Sequence, residues 1–160
     1  LLNYKDSEGN LQKGIAMAEW VKDHWSVPQP LSIRYFDNNS EYISGSISPD
    51  EKVMILSYKS YDTYGNEDLY VSFKESNGSW SQPENMGVDV NTMGEEWAPY
   101  LAPDLKTLYF SSNGFGGEGG RDIFVSQRKD DTWKDWTDPV NLGSEVNTAG
   151  VEQKKFFRRL

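Results

Sequence analysis

Apolar residues along this chain fall in short runs bounded by turn-forming residues, not in long periodic stretches. Leu108, Tyr109 and Phe110 lie in one run, at 107–112, and Ile123, Phe124 and Val125 in another, at 122–127. Both are rich in the β-branched and aromatic residues that suit a pleated surface. A short run at 96–101 precedes them and 133–142 contains a fourth; the same plan occurs earlier at 43–47, 53–58, 68–74 and 79–86. No segment keeps the i, i+3, i+4 spacing of a helix for more than about a turn. The best helical candidate, 14–22, aligns instead with the third strand of a unit. The inner runs are apolar on both alternating faces, with Leu108 and Phe110 on one and Tyr109 on the other. A sheet wet on one side would alternate polar with apolar, so this pattern predicts sheets covered on both sides.

The two units are copies of one another. Ser48-Pro49-Asp50-Glu51-Lys52 recurs 54 residues later as Ala102-Pro103-Asp104-Leu105-Lys106, and Asp68-Leu69-Tyr70-Val71-Ser72 recurs at the same offset as Asp122-Ile123-Phe124-Val125-Ser126. The offset then becomes 56, pairing Trp80-Ser81-Gln82-Pro83 with Trp136-Thr137-Asp138-Pro139 and Asn91-Thr92-Met93-Gly94 with Asn147-Thr148-Ala149-Gly150. A repeat of this length is one supersecondary unit that buries its faces against its neighbours. Four short antiparallel strands per unit, stacked unit on unit, make a β-propeller blade. The predicted fold is therefore all-β: one propeller domain with complete four-stranded antiparallel blades at 41–87 and 95–143. Trp25-Ser26-Val27-Pro28 lies 55 before Trp80, so 15–31 reads as the outer strands of a preceding partial blade. Gly150-Val151-Glu152 repeats Gly94-Glu95-Glu96, so 150–160 reads as the start of a following one. Arg158-Arg159-Leu160 stands where a third Pro-Asp turn is due and does not supply it. Propellers close with typically about 4–8 blades, and the chain is expected to be part of a larger protein.

The run Pro103-Asp104-Leu105-Lys106-Thr107-Leu108-Tyr109-Phe110-Ser111-Ser112-Asn113, continued by Gly119-Gly120-Arg121-Asp122-Ile123-Phe124-Val125-Ser126, resembles the core motif of WD40-like repeats in TolB-type propellers. The stretch from Trp136 to Gly150 resembles the inter-blade segment of Bacteroidota members, and the likeness covers roughly residues 15–152. In that family the propeller often accompanies tetratricopeptide repeats and a C-terminal OmpA-like peptidoglycan-binding domain. The resemblance implies a periplasmic, outer-membrane-associated scaffold, with envelope proteins as partners and some relatives in secretion or gliding machinery. No tetratricopeptide or OmpA-like segment is present in these residues, so peptidoglycan would be reached only through domains outside them.

Composition narrows the function classes. Aromatic residues make up 14% of the chain, too many for a disordered segment, which fails to fold for want of apolar surface. A formal charge of −9 argues against nucleic acid and anionic membranes as partners, the basic cluster Lys154, Lys155, Arg158 and Arg159 being the exception. With no cysteine, neither a disulfide framework nor a thiolate metal site is possible. No apolar run approaches the roughly 20 residues of a membrane-spanning helix, and the first residues do not read as a signal peptide.

Alternate connections of antiparallel strands lie at opposite ends of each unit. One end carries the long loops 60–67 and 113–121 together with the inter-blade segments around 91–96 and 147–152. Loops on a rigid scaffold are where binding residues concentrate, so this end is the candidate face. Its candidate contact residues are Tyr61, Asp62, Tyr64, Glu95, Glu96, Phe115, Glu118 and Arg121, the three aromatics being large side chains with no evident core. The expected partner is a protein or glycan held by aromatic anchors with a polar rim. Pro49, Asp50, Asp68, Trp80, Pro103, Asp104, Asp122 and Trp136 recur between units and read as framework: turns, strand starts that bond loop N–H groups, and packing between blades. Asp62, Asn66, Glu67 and Asp68 could offer oxygens to calcium but lack the EF-hand spacing, and no metal or cofactor is expected. The glycine run 114–120 joins strand to strand without a helix or a Gly-Lys-Ser/Thr sequence, which argues against a phosphate loop. The sole histidine, His24, has no counterpart in the other units, and no nucleophilic constellation is implied. The chain is expected not to be an enzyme. The alternative is a glycan-binding or glycoside-hydrolysing propeller, because 25 acidic residues allow many carboxylate pairs. Glu75-Ser76-Asn77-Gly78-Ser79-Trp80 also resembles the Asp-box hairpin of sialidases, with Asn77 where that box has an Asp.

Overall fold

A computed structural model describes residues 4–12 and 14–152, so the expectations for 153–160 lie outside the described residues. Every regular element described is a strand. The first two, β1 (Tyr4–Lys5) and β2 (Leu11–Gln12), form a small antiparallel pair. Four short strands follow: β3 (Ala16–Met17), β4 (Trp20–Val21), β5 (His24–Trp25) and β6 (Gln29–Pro30). The β3 strand pairs with β6, and β4 with β5, giving one interrupted hairpin over the segment expected to hold two outer strands. The first four-stranded sheet runs β10-β9-β8-β7, from β7 (Ser44–Ile47), β8 (Val53–Tyr58), β9 (Asp68–Phe73) and β10 (Glu84–Asn85). The second runs β11-β12-β13-β14, from β11 (Glu96–Leu101), β12 (Thr107–Ser112), β13 (Asp122–Gln127) and β14 (Val140–Asn141). Every pairing of named strands is antiparallel.

The Pro-Asp turns that open each unit are built alike. Ser48 Oγ donates to Asp50 Oδ1 at 2.6 Å and accepts from the Val53 amide at 3.0 Å. Asp104 accepts from the amides of Lys106 and Thr107 at 2.9 and 2.8 Å. Glu51 and Leu105 take left-handed φ values of 57° and 56° at the same repeat position.

Two apolar layers hold the elements together. Alternation along β8 sends Val53 and Ile55 to one face and Met54, Leu56 and Tyr58 to the other, which is why the strand is buried throughout. The first face meets Leu108, Phe110, Phe124 and Trp136 of the second sheet. The other face meets Ile15, Leu31 and Ile33, contributed by the hairpin and the segment after it. The first sheet is thus covered on both sides. The first strands of the two sheets are tied directly, because Ser44 Oγ accepts from the Ala98 amide at 2.9 Å. Ala98 sits in a bulge of β11 beside Pro99, which has no N–H for a ladder.

The outer strands are shorter than the sequence pattern predicts. Instead of continuous strands at 79–86 and within 133–142, the structure has β10 and β14 plus single bridges, Lys74 to Trp80 and Arg128 to Trp136. The physical cause recurs in both units. Pro83 and Pro139 lack a donor, while hydroxyl groups replace ladder bonds: Ser81 Oγ accepts from the Phe73 amide at 3.0 Å and Thr137 Oγ1 from the Gln127 amide at 2.9 Å. Trp133 lies outside any strand, with φ 63°, and its side chain turns back into the core.

Candidate functional site

The end carrying the long loops is organised by a polar clasp that occurs once in each unit. In the first, Asp68 Oδ2 accepts from the Tyr64 amide at 2.9 Å and from Asn85 Nδ2 at 2.8 Å. Asn85 Oδ1 accepts from Asn91 Nδ2 at 2.9 Å, and Asn91 brackets Leu69, accepting from its N–H at 2.7 Å and donating to its carbonyl at 3.0 Å. In the second, Asp122 Oδ2 accepts from the Glu118 amide at 2.6 Å and from Asn141 Nδ2 at 2.8 Å. Asn147 then donates to Asn141 Oδ1 at 2.7 Å and brackets Ile123 at 2.8 and 3.1 Å. Each inter-sheet segment continues alongside its long loop: Glu96 N donates to Glu67 O at 2.8 Å, and Glu152 N to Arg121 O at 2.9 Å. The asparagines at these positions carry the framework yet were not among the sequence candidates. Their recurrence at an offset of 56 was the available signal.

Of the predicted contact residues, one is internal and one is half-buried. Glu96 is fully buried; its carboxylate accepts from Thr92 N at 3.0 Å, Thr92 Oγ1 at 2.7 Å and Ser112 Oγ at 2.7 Å. It is a strand-start anchor and not a contact residue. Phe115 is half-buried and does have a core: its ring packs on Phe110 and Phe124, with centroids 6.0 and 5.4 Å away. The other candidates remain at the surface or at its edge. Tyr61 is 76% exposed and Tyr64 44%. Asp62 accepts from the Tyr70 hydroxyl at 2.8 Å. Glu95 and Arg121 form an ion pair at 3.5 Å that joins the inter-sheet segment to the second long loop, and the Arg121 guanidinium lies 5.6 Å from the Trp97 ring centroid. Glu118 is exposed.

The framework candidates are placed as follows. Asp68 and Asp122 sit at the starts of β9 and β13, each bonded to loop amides, and Trp80 and Trp136 are 3% and 0% exposed in the two apolar layers. The Trp136 amide donates to Asp89 Oδ2, 3.0 Å away on the preceding segment. Glu67 accepts from Ser40 Oγ, Asn66 Nδ2 donates to Glu95, Asp68 is held in its clasp, and among the described residues no three His, Cys, Asp or Glu side chains are grouped to hold a metal ion.

Burial pushes the carboxyl groups of Asp68 and Glu96 above the ordinary range, against hydrogen bonds that pull the other way. Both lie inside the protein, out of reach of a substrate. Where the two sheets meet at the surface, Phe115 and Glu118 join Val88, Asp89, Asp138 and Pro139 in lining an open cleft of about 740 Å³. Tyr61 joins Tyr35, Phe36, Asp37 and Gln82 in a shallower one of about 560 Å³. The candidate residues therefore do not form one continuous patch. They divide between the loop tips, the Glu95–Arg121 pair and two clefts. Comparison with protein-family models, with curated proteins and with solved structures finds no match to this chain.

Proposed function

We propose that this protein is a non-catalytic interaction scaffold of the bacterial cell envelope, periplasmic and outer-membrane-associated, in which each four-stranded sheet is one blade of a β-propeller. Support for the blades comes from the repeated clasp and the two-sided cover of the first sheet. Support for the envelope setting is the likeness of the repeat to TolB-type propellers. The observation that carries the scaffold reading is a contrast at the loop end. Its backbone is fixed by buried Asn and Asp side chains, while Tyr61 and Tyr64 are left projecting from it. Rigid aromatic side chains on an ordered frame suit partner binding, because little further ordering is required when they are covered. The carboxyl groups that burial pushes above their ordinary range are enclosed, and this favours a binding role over an acid–base one.

Crosslinking pull-down from bacterial envelopes tests this reading. Replacing Tyr61→Ala together with Tyr64→Ala should weaken capture by about tenfold, the scale of an interface anchor, and leave the melting temperature nearly unchanged. Unaltered capture would overturn it. A second reading, glycan binding, is favoured by the Tyr61 cleft, where the exposed rings of Tyr35 and Tyr61 lie beside the planar polar groups of Asp37 and Gln82. A glycan array combined with a hydrolysis screen separates the two. Saccharide binding abolished by Tyr61→Ala would favour the second.

A further inference from the structure

The geometry points to the larger cleft as a docking site for a basic segment of a partner protein, with a guanidinium or ammonium group seated between Phe115 and the carboxylates of Asp89, Glu118 and Asp138. This rests on the scaffold reading and gives its partner a chemistry. Part of the cleft wall is glycine, and at Gly117 the packing against the clasp requires it. Gly116 and Gly117 line it with φ values of 73° and 151°; a Cβ on Gly117 would come within 1.7 Å of the Asp122 carboxylate, so no side chain fits there, whereas one on Gly116 would meet nothing within 4 Å. Phe115 supplies an aromatic surface braced from beneath by Phe124.

The charge is one-sided. Three carboxylates line the cleft and no lysine or arginine does. Asp89 spends one oxygen on the Trp136 amide, while no described residue donates a hydrogen bond to the carboxylates of Glu118 or Asp138. The nearest cations are already engaged. Lys129, whose ammonium is favoured first by its hydrogen bond to Asp135 and further by the charges of Asp89 and Asp138, holds Asp135 at 2.8 Å, and Lys134 pairs with Glu84 at 3.6 Å. A cation entering here gains charge-assisted hydrogen bonds and an aromatic face together, which suits the planar guanidinium best.

The repeat provides an internal control. Tyr61 and Gln82 in the smaller cleft occupy the positions of Phe115 and Asp138, at offsets of 54 and 56. Both clefts come from the same joint between successive sheet elements, but a neutral amide replaces one carboxylate in the smaller. With Asp37 as its one carboxylate against three in the larger cleft, the smaller cleft should hold a cation more weakly.

The test is a nuclear magnetic resonance titration of the whole chain with a glycine-rich peptide containing arginine, beside the same peptide with neutral citrulline. The expected result is saturable movement of the Gly116, Gly117 and Gly143 amide signals with the arginine peptide and none with its citrulline twin. Asp138→Asn combined with Glu118→Gln should raise the half-saturation concentration by roughly tenfold, the product of two partly exposed ion pairs. Phe115→Leu should raise it with every carboxylate still in place. Equal response to citrulline, or the same affinity in the carboxamide variant, overturns the proposal. So does movement with calcium chloride alone and not with the peptide. The envelope pull-down separates the two readings. If the carboxamide variant captures partners normally while the Tyr61/Tyr64 variant does not, the cleft proposal falls and the scaffold stands. If the carboxamide variant loses capture while the Tyr61/Tyr64 variant keeps it, the tyrosine-anchored scaffold reading falls and the cleft stands.

Discussion

Glu96 shows how a single side chain changes meaning between sequence and structure. Its neighbour Glu95 faces the surface and pairs with Arg121, whereas Glu96 turns inward and receives three donors. Along a strand, adjacent residues point to opposite faces, so one of two consecutive acids must go inward. Burial raises the Glu96 carboxyl above its ordinary 4.5. Between that value and the raised one, the folded chain holds more protons than the unfolded chain, so this group's contribution to stability falls as pH rises through the window. Glu96→Gln should abolish that part of the slope, measured as unfolding free energy as the pH is raised from the ordinary carboxylate range upward. At neutral pH the same change turns an amide NH₂ toward the Thr92 N–H or leaves a donor unmet. It should cost about 1–3 kcal/mol in urea unfolding. Gly117→Ala should cost a similar amount, about 1–3 kcal/mol, from backbone strain and the Asp122 contact.

At the scale of the element, the strands legible in the sequence are the inner ones, where every residue from Val53 to Tyr58 is buried. The outer strands were only half legible. Trp80 and Trp136 signalled a repeat, but not that the Ser81 and Thr137 hydroxyls would take one bond of each pair while their amides keep the other. The asparagine clasp is likewise a feature of elements. Asn91→Ala or Asn147→Ala leaves the N–H of Leu69 or Ile123 without its partner, at about 1–3 kcal/mol, while the two carbonyls keep the amides of Met86 and Leu142. Amide hydrogen exchange at Leu69 and Ile123 should accelerate in the respective variant. Protection unchanged at those amides would show that the clasp is dispensable.

For the molecule as a whole, Trp136 lies in an apolar layer drawn from both sheets, with Val53, Ile55 and Leu69 on one side and Leu108 and Phe110 on the other. Trp136→Ala should cost about 3–5 kcal/mol and lower the melting of both sheets in one transition. Loss of protection in the second sheet alone would show that the sheets unfold independently. Trp133 packs against Trp136 with centroids 6.1 Å apart, so the double substitution should cost less than the two single ones added.

Strand type, the turns at Pro49 and Pro103, and the register of the repeat were determined by the sequence alone, because local propensity and side-chain alternation act over a few residues. The reading of Phe115 and Glu96 as contact residues could not be settled in that way. Whether a loop aromatic projects or folds back depends on the neighbouring sheet that meets it, and here Phe110 and Phe124 receive the ring. The acidic cleft is likewise a product of tertiary structure. It unites Asp89, Phe115, Glu118 and Asp138 from an inter-sheet segment, a long loop and the chain leading into an outer strand, and only the stacking of the two sheets brings them together.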